Sequence, residues 1–99
     1  MILKQRKLLT IVSEVAIEHR ILKDRERLGA KGYTVSAAHG KGPRDQRTGD
    51  LEGGNIRIET VVNNEVLEKI LETLTQNYFP HYACTTWVSQ VEVVRDERY

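Results

Sequence analysis

The order of secondary-structure signals predicts an α+β fold in which two helices and four strands follow one another as β-α-β-β-α-β, with the strands forming one antiparallel sheet. Three observations carry that expectation. Four runs of strand length are rich in β-branched residues, two intervening stretches place apolar residues at helical spacing, and each of these stretches lies between strand signals. With 99 residues the chain has the length of one domain, residues 1–99.

Residues 7–12, KLLTIV, read as the first strand. Ser13 offers an N-cap hydroxyl, and Glu14 falls in the first turn of a helix, where the dipole favours negative charge. Ile17, Ile21 and Leu28 recur at four- and seven-residue spacing, with His19, Arg20, Lys23 and Arg25 mostly off that face. Gly29 suits the position that ends a helix. YTVSAA, residues 33–38, reads as the second strand. In NIRIETVV, residues 55–62, Ile56, Ile58, Thr60 and Val62 alternate with Arg57 and Glu59. Asn63 and Asn64 are candidate caps for a second helix, whose stripe is Leu67, Ile70, Leu71, Leu74 and Tyr78 and which Pro80 stops. The final strand, residues 82–94, alternates Trp87, Val91 and Val93 against Gln90 and Glu92.

This is the ferredoxin-like order. Two helices cover only one face of a four-stranded sheet. Leu8 and Leu9, Val61 and Val62, and Trp87 and Val88 nevertheless send apolar side chains to both faces. An uncovered apolar face implies association, here as a homo-oligomer. The net charge of +1 argues against a nucleic-acid-wrapping protein. Cys84 is the single cysteine, so neither an internal disulfide nor a CxxC metal site is available. The first residues, MILKQRKLLTIVS, lack the apolar run of a signal peptide or membrane span, and a cytoplasmic location is expected.

The least regular stretch is AAHGKGPRDQRTGDLEGG, residues 37–54. It is long for a β-to-β connection. Gly40 and Gly42 permit backbone N–H groups to converge on an anion, and Lys41, Arg44 and Arg47 supply charge, arginine being suited to phosphate. The same residues also fit a solvated connector, since Asp45, Asp50 and Glu52 cancel their charge. No P-loop pattern is present. His19, His39 and His81 are too scattered for a metal site, and no metal ligands are expected. A thiolate pair of His81 with Cys84 is disfavoured, because positions three apart on a strand face opposite ways. Tyr78, Phe79 and Tyr82 read as packing around Pro80, and Glu65, Glu68 and Glu72 as a solvated helix face.

KLLTIVSE, then LGAKGYTVSAAHGKGPRDQR, then NIRIETVV and the aromatic-rich last strand together resemble the PII-like signalling proteins, from about Lys7 to Val94. The likeness is greater to their divergent branch associated with bicarbonate transport and carboxysomes. Its most specific part is GAKGYTV followed by GKGxRxxR. The resemblance implies a homotrimer that binds adenine nucleotides in the clefts between subunits. It also implies a T-loop, about residues 41–53, that changes conformation with the ligand and docks on a partner. Carried over, Gly32, Tyr33 and Thr34 would lie near the adenosine. Gly40, Lys41, Gly42, Arg44 and Arg47 would form the phosphate-facing base of the T-loop. Tyr82, Ala83, Cys84 and Thr85 would correspond to the B-loop of the neighbouring chain, and Arg95 and Arg98 to a C-terminal basic pair. The chain departs from the nitrogen-sensing members in having no tyrosine between 41 and 53 to be uridylylated, and Pro43-Arg44 where they carry Arg-Gln. It also lacks their Gly-Asp-Gly-Lys B-loop, which favours AMP, ADP or cyclic AMP over ATP.

The expected function is therefore a non-enzymatic sensor with no catalytic residues. Its effector would be ADP or AMP, together with bicarbonate, and its partner a bicarbonate transporter or carboxysome-related protein reached through the T-loop. Two other classes fit the fold. One is an acylphosphatase-like hydrolase using Arg44 or Arg47 with Asn55, which lacks a general base beside the arginines. The other is an RNA-recognition module, which would need aromatic residues on the central strands where NIRIETVV has none.

Overall fold

The computed structural model describes residues 1–40 and 54–99; the expected T-loop, 41–53, lies outside the described residues. The chain runs through β1 (Lys4–Glu14), a 3-10 turn (Val15–Ile17), α1 (Glu18–Arg27), β2 (Thr34–Ala38), β3 (Asn55–Val62), α2 (Asn64–Asn77), β4 (Cys84–Val93) and a last 3-10 turn (Asp96–Arg98). The strands form one sheet in the order β2-β3-β1-β4 with antiparallel neighbours, the ferredoxin-like arrangement.

Register decides which side chains meet the helices. Leu9, Ile11 and Ser13 of β1 stand opposite Thr60, Ile58 and Ile56 of β3, and opposed residues share a face. That face packs under Ile17, Ile21, Leu67, Ile70, Leu74 and Tyr78 in one buried cluster. Each large aliphatic side chain removed from water there contributes roughly 1.5–3 kcal/mol. The opposite face carries Leu8 beside Val61, and Thr10 between Glu59 and Trp87. No helix among the described residues covers it, and Trp87 remains 47% exposed. Val88, on the helix side of edge strand β4, is also exposed. Apolar side chains do therefore point to both faces.

β3 has the bounds its alternation predicts, and α2 starts where Asn63 caps it: the Asn63 side chain accepts the Val66 N–H at 2.8 Å. The first helix differs from expectation. β1 runs on to Glu14, paired with β3 and β4 at Ser13, so Ser13 is a fully buried strand residue and not an N-cap. Its hydroxyl donates to the Glu14 carbonyl at 3.1 Å. Ladder pairing on both sides outweighs a local capping signal, and α1 begins only at Glu18. Arg25, expected off the apolar face, is 3% exposed. β4 begins at Cys84, which leaves Tyr82 and Ala83 in the connection before it.

α1 ends as Gly29 predicts. Gly29 has φ +113°, its N–H donates to the Glu26 carbonyl, and the Ala30 N–H donates to that of Arg25. This is the paired bond pattern of a Schellman cap. It turns the chain off α1 and toward Gly32.

Candidate functional site

The segment Gly32–Thr34 enters the edge strand β2. Two side chains pin its first carbonyl: the Thr60 hydroxyl donates to the Gly32 oxygen at 2.7 Å, and Arg25 Nη1 donates to it at 3.4 Å. The guanidinium carbon of Arg25 lies 4.6 Å from the centroid of the Tyr33 ring. Burial lowers the Arg25 pKa from its ordinary value, but an arginine remains charged. The C-terminal segment reaches the same place, with Lys31 Nζ donating to the Glu97 carbonyl at 3.3 Å. A Cβ on Gly32 would stand 3.7 Å from the Arg98 carbonyl oxygen. Between the tail and the sheet lies a cleft of about 350 Å³ lined by Gly32, Tyr33 and Thr34 together with Leu8, Glu59, Val61, Arg98 and Tyr99.

The second expected segment, Tyr82–Thr85, sits where the chain leaves α2 and enters β4. The carboxylate of Glu14 accepts the Ala83 N–H at 2.9 Å. Arg20 Nη1 donates to the Tyr82 hydroxyl at 2.7 Å, and that bond is the main cause of a raised Arg20 pKa. Arg20 also lies over the Tyr78 ring at 5.3 Å, and the buried Tyr78 hydroxyl donates to Asp24 Oδ2 at 2.6 Å. Desolvation, then that hydrogen bond, raises the Tyr78 pKa. A chain of contacts from α1 thus fixes the approach to β4. Burial, and then the Glu14 charge, pushes the Cys84 thiol up to about 11, which makes it a poor nucleophile. His81 lies in the turn before Tyr82, its ring 6.3 Å from that of Tyr82.

The structure does not bring the two segments together. β2 and β4 are opposite edges of the sheet, with β3 and β1 between them. Three inter-strand spacings put their backbones about 14 Å apart. Of the loop-base residues, Gly40 is described and exposed, and space around it is open. Lys41, Gly42, Arg44 and Arg47 lie outside the described residues. Asn55, named above beside the arginines of the hydrolase alternative, is 6% exposed at the foot of β3, paired with Ala38 and Glu14. Among the described residues no group of three or more His, Cys, Asp or Glu side chains could hold a metal ion, and no helix is long and apolar enough to cross a membrane.

The sequence reading did not place Arg25 against Tyr33, nor Glu59 and Tyr99 on the cleft. The outward direction of Glu59 was visible in the alternation of β3. The other two depend on contacts between segments far apart in the chain. Arg98, expected as half of a basic pair, lines the cleft, whereas Arg95 Nε is turned to the Glu97 carboxylate at 3.2 Å.

Comparison with known proteins gives a consistent picture. The family model for nitrogen regulatory protein P-II matches residues 6–98. A PII-like signalling protein from Thermus thermophilus is 48% identical, with a TM-score of 0.86 over 100% of this chain and 99% of that one. CPII from Thiomonas intermedia, bound to ADP, AMP and acetate, is 26% identical with a TM-score of 0.86, covering 100% of this chain and 98% of that one. The same protein bound to ADP and bicarbonate gives 26% identity and a TM-score of 0.84 over 98% and 96% of the two chains.

Proposed function

This chain belongs to the nitrogen regulatory protein P-II family, and from that premise we propose that it is a non-enzymatic cytoplasmic sensor of adenine nucleotide that works as a homotrimer. The nucleotide sits between Gly32–Thr34 on the β2 edge of one protomer and Tyr82–Thr85 on the β4 edge of the next. Gly40, Lys41, Gly42, Arg44 and Arg47 hold its phosphates. Occupancy sets the conformation of residues 41–53, which dock on a partner in inorganic-carbon metabolism, a bicarbonate transporter or a carboxysome-related protein. Ordering a segment through charge-assisted hydrogen bonds is an established form of switching.

The observation that carries this reading is the placement of the two segments on opposite edges of one sheet, with β3 and β1 between them, which favours a site shared between protomers. The exposed apolar face around Trp87 supports association. ADP or AMP, or cyclic AMP, is favoured over ATP because Tyr82–Thr85 offers no glycine-lysine loop for a third phosphate. Bicarbonate is included because CPII, similar along its whole length, has been solved with ADP and bicarbonate bound. The burial of Asn55 weighs against the hydrolase alternative.

Calorimetry with AMP, ADP, ATP and cyclic AMP, each with and without bicarbonate, tests the reading. Micromolar-range binding of at least one nucleotide is expected, on the order of −7 to −9 kcal/mol. Arg47→Ala should weaken it markedly, and unchanged affinity would remove that residue from the site. Folded protein that binds no adenine nucleotide would end the sensor reading.

A further inference from the structure

Glu14 is the last residue of β1, and its backbone stands opposite Asn55, which in turn stands opposite Ala38. Its neighbour Ser13 is buried on the helix face, so alternation turns the Glu14 side chain toward the uncovered face of the sheet. There its Oε2 accepts the Ala83 N–H at 2.9 Å. This bond affects Tyr82–Thr85 in two ways. Backbone N–H groups of a connection are ready donors to phosphate oxygens, and the one on Ala83 is already taken. A carboxylate also stands beside the segment. No described residue forms an ion pair with it, and Tyr82–Thr85 carries no lysine or arginine of its own. Glu14 is half-buried, so water and salt screen its charge incompletely. Its field reaches along the segment: after burial, the Glu14 charge is the next cause of the raised Cys84 pKa.

We propose that Glu14 is a specificity-determining residue, whose carboxylate, fixed on the Ala83 N–H, limits the number of phosphates accepted at the β4 edge and so sets a preference for AMP and ADP over ATP. This inference rests on the nucleotide-sensor reading and deepens it. The lack of a glycine-lysine loop only withholds an attraction from a third phosphate, whereas a fixed like charge repels it. Ligands that share a base and a ribose gain equally from contacts with the shared part, so discrimination among them by charge calls for a repulsive element of this kind. The hydrogen bond is what makes the repulsion effective. A freely rotating glutamate would swing away from an arriving phosphate, but one held by Ala83 gives up that bond to do so.

The test is calorimetric titration of wild type, Glu14→Gln and Glu14→Ala with AMP, ADP and ATP, without magnesium, at low and at high ionic strength. Glu14→Gln keeps an oxygen acceptor for the Ala83 N–H and removes only the charge. Relative to AMP, it should improve ADP binding about threefold and ATP binding about tenfold, since each exposed charge pair changes affinity by a few fold. The differences should shrink as salt screens the charge. Glu14→Ala also loses the hydrogen bond, and should weaken all three nucleotides by a common factor on top of the same change in ratio. An ATP-to-AMP affinity ratio in Glu14→Gln equal to that of wild type would overturn the proposal. So would a change equal for the three nucleotides, which is the result of a purely structural role. Should Glu14→Gln fail to fold, the ratio in Glu14→Ala decides by the same criterion. Wild type that binds none of the three would overturn the sensor reading itself, an outcome distinct from binding with an unchanged ratio.

Discussion

Gly29→Ala tests how the chain is steered from α1 to the candidate site. At φ +113° the backbone of Gly29 is in a region that costs an L-residue roughly 1–2 kcal/mol. The added Cβ would also stand 3.1 Å from Cγ2 of Val66 on α2, a contact that forces one of the two to yield. Overpacking of that kind adds about 1 kcal/mol. The expected loss of stability is therefore about 2–3 kcal/mol, which for a domain of this size lowers Tm by roughly 10–20 °C. The matched control is Gly40→Ala, where a Cβ would meet nothing within 4 Å and the change should stay within about 0.5 kcal/mol. Urea unfolding followed by circular dichroism reads both, with the midpoint moving and the slope unchanged. A Gly29→Ala midpoint indistinguishable from that of Gly40→Ala would refute the account of the cap.

Three further outcomes follow from the same contacts. With its thiol at about 11, Cys84 is about one part in a thousand thiolate at pH 8; alkylation by iodoacetamide should be about a hundredfold slower in folded than in urea-unfolded protein, and equal rates would contradict the burial argument. Tyr78→Phe removes the hydrogen bond to the partly exposed Asp24 and should cost about 1–2 kcal/mol at pH 8. Because folding raises the Tyr78 pKa, its contribution is complete below its ordinary value near 10 and is lost as pH rises beyond it; urea melts above pH 10 should show wild type losing stability faster than Tyr78→Phe, and parallel pH profiles would refute the linkage. Trp87→Glu places a charge on the uncovered face and should weaken the proposed trimer at least about a hundredfold; light scattering that still gives a trimer at low micromolar protein would remove this face from the interface.

What the sequence made legible were the features whose cause is local. The alternation of Ile56, Ile58, Thr60 and Val62 defines β3 because one face is buried and the other is not. Asn63 caps α2 and Gly29 ends α1 because each satisfies backbone groups within a few residues of itself. Ser13 failed by the same logic: Ser-Glu before an apolar stripe is a sound capping signal, but two neighbouring strands offered its backbone ladder bonds that no local pattern reveals. Arg25 was expected off the apolar face, where an arginine on a helix is usually exposed. Its burial depends on the Tyr33 ring and the Gly32 carbonyl, both supplied by the following loop. The likeness to PII-like proteins named Gly32–Thr34 of one chain and Tyr82–Thr85 of its neighbour as parts of one site; what no resemblance supplies is the strand order, which puts the two segments on opposite edges of one chain's sheet.

That separation has an energetic consequence for a site built from two protomers. On the proposed trimer each protomer would present half of two different sites, one on β2 and one on β4, so that a ligand contacting both halves would bind only the assembled form. By mass action such a ligand stabilises the assembly by RT ln(1 + [L]/Kd), about 2.7 kcal/mol at a hundredfold excess over Kd. The halves are also held by different means. Tyr82 and Ala83 are clamped by Arg20 and Glu14, whereas Gly32 and Tyr33 rest on Thr60 and on the buried Arg25. Both clamps draw on α1, since Arg20 and Arg25 stand on that one helix. Ligand that shifts either half therefore pushes on the element that positions the other. On the proposed trimer the helix that carries Arg20 and Arg25 is therefore the element through which occupancy of one cleft would be felt at the next, and coupling between the clefts should fall when either contact is removed.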